Sequence, residues 1–312
     1  MKNKFFFTKA IHVGNAPDEE TGAVTSPIHF SSTFKQNEVG FHKGYEYSRA
    51  GNPTRERFEK NICSLEDASY GIAFSSGMAS ITALFQTMSR GDHVIIGRNV
   101  YGGTYRMVTQ VLCNHGFEFD FVDIRSLDEV ESMIKANTKW VFAETPTNPL
   151  LELCDIKALS NLSKSKGLKL AIDNTFMSPY GQRPIGLGAD VVMHSATKFI
   201  GGHSDLIAGV LITNDSELAE NLYFIQKSGG AILSPFDSWL LLRSTKTLAL
   251  RFQQHSDNAM AIAKSLQDFS KVNSVLYPGL QSHNQHDLAT KQQKNPLGKS
   301  IYLSLIHISE PT

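Results

Sequence analysis

Two side chains in this sequence stand where they could do chemistry. Lys198 closes the run Val191-Val192-Met193-His194-Ser195-Ala196-Thr197-Lys198, just past an apolar stretch with strand character. Asp173 closes a second such stretch, Leu170-Ala171-Ile172-Asp173. A strand-end amine can bond covalently to an aldehyde as an imine, and a strand-end acid can hold a proton on a heteroaromatic nitrogen. A pyridoxal 5'-phosphate cofactor asks a protein for that pair of tasks. Each residue also has a plainer reading. Lysines are ordinarily solvated surface groups, and Asp173 in Asp173-Asn174-Thr175 would equally well cap a strand-to-loop turn.

A phosphate-bearing cofactor needs an anion site. Phe74-Ser75-Ser76-Gly77-Met78-Ala79-Ser80 leads straight into a helical pattern, whose first N–H groups have no partners within the helix and favour an anion. Gly77 would let the backbone approach closely, and Ser195 and Thr197 beside the lysine add two hydroxyls. Taken alone, the serines are an ordinary helix cap. Joined to the lysine, the three elements read as a phosphate cradle. Tyr101, in Val100-Tyr101-Gly102-Gly103-Thr104, could lay its ring on a flat cofactor, or be a core tyrosine at a helix start. Asn148, in Glu144-Thr145-Pro146-Thr147-Asn148-Pro149, could bond a ring hydroxyl, or be a turn asparagine before proline. His12, His194 and His203 lack metal-ligand spacing and read as structural, and no metal is expected.

These residues need elements to deliver them. Strand candidates run over 93–96, 118–122, 140–143, 168–173, 190–194 and 208–213, with helical candidates at 78–89, 104–115, 127–136, 156–166 and 217–226 between them. Such alternation predicts an α/β fold with a mainly parallel sheet, its ligand site outside the carboxyl ends of the strands. Residues 1–60 are polar and proline-punctuated, and read as an arm packed on another surface. The large α/β domain spans 61–235. A single long helix is expected over 236–270, entered at Pro235, and 271–302 begins a further domain.

The composition sets outer limits. The chain has 312 residues, 41% apolar and 19% charged, with 30 acidic and 30 basic side chains. Zero net charge offers nothing to nucleic acid or an anionic membrane. Three scattered cysteines and no C-x-x-C pair fit a reducing cytosol, and Cys113 reads as a small buried residue rather than a reactive thiol. No apolar run approaches the roughly 18 residues of a membrane span, and the short Phe5-Phe6-Phe7 run is no signal-peptide core. The expected location is the cytoplasm. A dinucleotide oxidoreductase would need a G-x-G-x-x-G after its first strand, and none occurs. A Schiff-base aldolase would use the lysine but has no use for the cradle or for Asp173.

Several ordered motifs carry a resemblance. Tyr47-Ser48-Arg49, Asn52-Pro53-Thr54-Arg55, Ser75-Ser76-Gly77-Met78, Tyr101-Gly102-Gly103-Thr104-Tyr105-Arg106, Glu144-Thr145-Pro146-Thr147-Asn148-Pro149, Asp173-Asn174-Thr175-Phe176 and His194-Ser195-Ala196-Thr197-Lys198 resemble the Cys/Met-metabolism, or trans-sulfuration, family of pyridoxal-phosphate enzymes. The resemblance covers about residues 10–300. It implies the fold type I architecture (aspartate aminotransferase-like), with a mainly parallel seven-stranded sheet in the large domain. It implies that Lys198 is the imine lysine, that Asp173 partners the ring nitrogen, and that Tyr101 stacks and assists proton transfer. It further implies that Gly77, Met78, Ser195 and Thr197 hold the phosphate. Tyr47 and Arg49 would reach the phosphate of a neighbouring subunit, making a homodimer or homotetramer.

Methionine γ-lyases place a cysteine where Gly103 stands. The runs Tyr45-Glu46-Tyr47-Ser48-Arg49 and Tyr277-Pro278-Gly279-Leu280 look like bacterial cystathionine lyases, while Pro235-Phe236-Asp237-Ser238-Trp239 looks like γ-synthases. The leading expectation is a cystathionine β- or γ-lyase. The alternative is γ-replacement on an O-acyl-homoserine, as in cystathionine γ-synthase or O-acetylhomoserine sulfhydrylase. The resemblance fails near Ser300, and residues 303–312 match nothing in the family's small C-terminal domain. The expectation there is a truncated reading frame lacking most of that domain, with weak or absent turnover, and a non-catalytic cofactor-binding fragment as the reading from another class.

Overall fold

A computed structural model describes residues 6–302; the 303–312 tail expected to differ from the family lies outside them. In chain order the elements begin α1 (Phe6–His12), β1 (Gln36–Glu38), β2 (Phe41–His42), α2 (Pro53–Leu65), β3 (Tyr70–Phe74), α3 (Gly77–Phe85), β4 (His93–Gly97), α4 (Gly102–Gln110), β5 (Glu118–Val122), α5 (Leu127–Ser132) and β6 (Thr138–Glu144). They continue α6 (Ile156–Ser165), β7 (Lys169–Asp173), α7 (Ser178–Gly181), α8 (Pro184–Leu187), β8 (Val191–His194), β9 (Gly209–Thr213), α9 (Ser216–Gly229), α10 (Pro235–Thr245), α11 (Leu248–Gln267) and α12 (His286–Gln292). The main sheet has seven strands in the order β3-β9-β8-β7-β6-β4-β5. β4 runs parallel to β5 and β6, β6 parallel to β7, and β3 antiparallel to β9. The expected α/β architecture is the one found. Among the described residues no helix is long and apolar enough to cross a membrane.

The described residues group into two compact units, one from 6–87 with 193–247, the other from 88–192 with 248–302. In the first, α2 is the finding the sequence reading did not anticipate. Residues 53–60, placed there at the end of a polar arm, are the first turns of a helix that buries Phe58, Ile62 and Leu65. Asn52 starts it: its side-chain oxygen accepts from Thr54 N at 2.9 Å and Arg55 N at 3.3 Å, and Pro53 takes the first turn. The same amide donates to His29 O at 2.9 Å, pinning the preceding segment. Asn52→Ala is therefore expected to cost about 2 kcal/mol, the upper end for a lost cap; a midpoint of denaturant unfolding equal to wild type would contradict this. β3 also escaped the reading, because Gly71 and Ala73 give it weak strand propensity. Gly71 has a packing reason: a Cβ there would sit 2.9 Å from Glu59 O of α2.

In the second unit the strands are apolar on the face that meets α5 and α6. Val141, Ala143, Leu170 and Ile172 pack with Val130, Ile156 and Leu159 in one buried cluster. α6 begins where Asp155 accepts from Ala158 N at 2.9 Å, and the chain turns out of it at Gly167, whose φ is +69°. The single helix expected over 236–270 is instead two, α10 and α11, broken at Lys246 and Thr247. There Thr247 N bonds Ser244 O at 3.2 Å in a tighter turn, and the hydroxyls of Thr245 and Thr247 donate back to Leu242 O and Ser244 O. Hydroxyls that compete for helix carbonyls favour such a break. Cys63 and Cys154 are buried, but Cys113 is exposed, contrary to expectation. It lies on the 3-10 turn Leu112–His115, where Leu112 takes the inward place.

Candidate active site

In the first unit the start of α3 and the segment after β8 come together. Ser76 caps α3, its hydroxyl accepting from Ala79 N at 3.0 Å. The N–H groups of Gly77 and Met78 have no acceptor among the described residues. A Cβ on Gly77 would lie 2.9 Å from Ser195 Cβ and 3.0 Å from Ser195 Oγ, so the glycine is what lets the helix start meet Ser195. Two bare donors, the positive end of a helix and a hydroxyl fit a phosphate group. Thr197 is engaged otherwise. Its hydroxyl donates to Ala208 O at 3.1 Å and accepts from Ala208 N at 3.0 Å, clasping the lead-in to β9.

Lys198 follows on a tight turn closed by Lys198 N to Ser195 O at 3.1 Å, Gly201 N to Ala196 O at 2.8 Å and Gly202 N to Lys198 O at 2.7 Å. The lysine is exposed, and its ammonium makes no hydrogen bond or ion pair among the described residues. Behind it His194 is fully buried, its Nε2 2.7 Å from the equally buried Glu66 Oε1, which ties β8 to the end of α2. Tyr47 and Arg49 are exposed, and the Arg49 guanidinium lies 5.2 Å from the centroid of the Tyr47 ring. Arg49 also donates to Lys227 O at the end of α9. The buried Arg55 guanidinium holds this segment from behind, donating to Ser48 O at 2.9 Å and Arg49 O at 3.5 Å.

In the second unit Asp173 and Glu144 end adjacent parallel strands as register partners. Strand neighbours are about 4.8 Å apart with partnered side chains on one face, so two carboxyls stand side by side. Both are buried, Asp173 at 5% exposed and Glu144 at 8%. Asp173 Oδ1 accepts from Thr175 N at 3.0 Å and Thr175 Oγ1 at 2.5 Å, which fixes its rotamer. Glu144 accepts from Tyr101 N at 2.7 Å and Asn148 N at 3.2 Å. The structure thus brings Asp173, Tyr101 and Asn148 around a residue that sequence reasoning treated only as part of a polar loop. Deeper, Gln182 donates to Asn174 Oδ1 at 2.9 Å and Thr145 O at 3.2 Å, so amides brace the residues that follow both acids.

Burial first, and the neighbouring Asp173 charge second, push the Glu144 carboxyl up from its usual 4.5 to about 8. The folded protein then holds this proton more tightly than the unfolded chain. Its contribution to stability is intact below pH 4.5 and drains away as pH rises toward 8. Glu144→Gln, which cannot ionise, is expected to flatten the fall in stability across that window. Urea unfolding near both ends of it checks this, and equal slopes for the two proteins would count against it.

The chain has known relatives. Residues 7–306 match the profile described as Cys/Met metabolism PLP-dependent enzyme. The chain is 50% identical over 285 residues to the cystathionine beta-lyase of Lactococcus lactis subsp. cremoris, covering 91% of this chain and 75% of that one. It is 48% identical over 289 residues to a probable cystathionine gamma-synthase of Herpetosiphon aurantiacus, covering 93% and 91%. Among solved structures it is similar to a cystathionine gamma-lyase from Lactobacillus plantarum complexed with L-serine, with a TM-score of 0.91, 46% identity, and 93% and 76% of the two chains covered. These matches are to enzymes of one class, and they extend over more than nine-tenths of the chain. The chain belongs to the Cys/Met metabolism family of enzymes that depend on pyridoxal 5'-phosphate.

Proposed function

We propose that this protein is a cytoplasmic carbon–sulfur lyase acting on a sulfur amino acid, with cystathionine as the leading substrate and β- or γ-elimination as the reaction. The observation that carries the reading is the bare start of α3 set against Ser195, three residues before Lys198. When bound, the cofactor supplies an electron sink for the bond broken at the substrate Cα. The protein's part is then as follows. Gly77 and Met78 N–H with the Ser195 hydroxyl hold the phosphate, and Thr197 joins them only by giving up its bond to Ala208 O. Asp173 keeps a proton on the ring nitrogen. Tyr101 would stack on the ring and assist proton transfer, and Asn148 would bond the ring hydroxyl.

Lys198 would hold the cofactor through its amine, and that amine would also be the base for the substrate Cα proton. For γ chemistry it must also move a Cβ proton. Tyr47 and Arg49 are read as reaching the phosphate of a neighbouring subunit, and their exposure agrees with that role. The assembly is then a homodimer or homotetramer, with the segment before α2 as the arm that contacts the neighbouring subunit. Arginine suits the task because its planar fork bonds two phosphate oxygens at once.

The likeness to a gamma-synthase favours a second reading, γ-replacement on an O-acyl-homoserine. Product analysis separates the two. Cystathionine yielding pyruvate and homocysteine marks β-elimination, and 2-oxobutyrate with cysteine marks γ-elimination. Cystathionine made from O-acyl-homoserine and cysteine, with no cleavage, marks the synthase. No product in any arm would defeat the enzymatic reading.

A further inference from the structure

Glu144 has no part in the chemistry proposed above, yet it is the residue on which two of the named side chains depend. Among the described residues it makes no ion pair, so no cation accounts for burying it. A buried carboxyl without a cation is costly. What it has instead is two backbone donors, Tyr101 N on Oε2 and Asn148 N on Oε1. They belong to different loops, one entering α4 and one leaving β6.

Tyr101 most needs such an anchor. It is 51% exposed and starts α4 without a side-chain cap bond. Its ring makes no aromatic contact among the described residues. The direction of the ring is therefore set through the backbone, and that backbone is tied at its N–H to Glu144. A second tie supports the same loop. Asn99 donates to Glu152 Oε2, and Glu152 Oε1 pairs with Arg125 at 2.7 Å. Arg125 is in turn held by Asp123 at 2.6 Å.

We propose that Glu144 is a positioning residue that acts through Tyr101: its carboxyl, steadied by Asn148 N–H, fixes the loop that presents the tyrosine ring to the cofactor. The inference rests on the functional reading above. The raised proton affinity of Glu144 agrees with it, since a neutral carboxyl still offers an acceptor to each N–H.

The test is a double-substitution cycle on the cofactor-free protein, reading the pyridoxal phosphate dissociation constant by fluorescence titration. Glu144→Ala is expected to weaken binding about tenfold in the wild-type background, the upper end of the net worth of one hydrogen bond. In a Tyr101→Ala background the same change should cost about twofold or less, because a residue acting through Tyr101 has nothing left to act on. Glu144→Gln keeps an acceptor for Tyr101 N–H and should restore affinity to within about threefold of wild type. Equal losses in both backgrounds, or none, overturn the proposal. If the alanine variant does not fold, Glu152→Gln takes its place, with an expected loss of about threefold that again vanishes in Tyr101→Ala; no loss there overturns it too. A wild-type protein that takes up no cofactor would sink the functional reading and this inference together, whereas an additive cycle in a protein that binds it sinks only the inference.

Discussion

Replacing Lys198 with alanine is expected to lower turnover by about 10⁴-fold and to abolish the absorption band of the lysine–cofactor linkage. Both losses follow from one amine. The turn from Ser195 to Gly202 is closed by three backbone hydrogen bonds, none of which uses the lysine side chain. Removing the ammonium therefore leaves the turn standing, and the start of α3 with Ser195 is untouched. Cofactor should still bind through its phosphate, but reversibly and without the linked-form spectrum. A normal band in Lys198→Ala would move the covalent site elsewhere.

The second large effect is expected at Asp173. Asp173→Ala should retain part of the cofactor but lose about 100-fold or more in rate, the scale on which one preorganised charged contact acts. The contact is preorganised because Thr175 holds Oδ1 through both its N–H and its hydroxyl. Loss of the carboxyl removes the partner of the ring nitrogen, and with it the ring's pull on electrons at Cα. Asp173→Asn keeps the shape and not the charge, so it should fall with the alanine variant rather than with wild type. A rate for Asp173→Asn equal to wild type, in steady-state assays at saturating cofactor, would remove Asp173 from the chemistry.

The sequence made the strand ends legible because apolar runs such as Leu170–Ile172 and Val191–Met193 stop abruptly at polar residues. It also made Gly77 legible, since a glycine after two serines at a helix start has a steric purpose, and the contact with Ser195 supplies it. The helix α2 hid behind the polar look of residues 53–61, although Asn52-Pro53 is a start signal and Phe58 and Ile62 are spaced for one face. The break between α10 and α11 depends on two threonine hydroxyls choosing backbone carbonyls, which apolar periodicity does not register. Glu144 was hidden for a different reason. Within Glu144-Thr145-Pro146 it looks like a turn residue, and only the pairing of β6 with β7 in register reveals its burial beside Asp173. The Thr197 clasp on Ala208 is likewise a contact between residues eleven apart that no local pattern encodes.

One measurement addresses the central claim directly. The protein is incubated with pyridoxal 5'-phosphate, reduced with borohydride, digested, and its peptides are weighed by mass spectrometry. A single stoichiometric pyridoxyl-phosphate adduct on Lys198 is expected. An adduct on another lysine, or none at all, would contradict that claim.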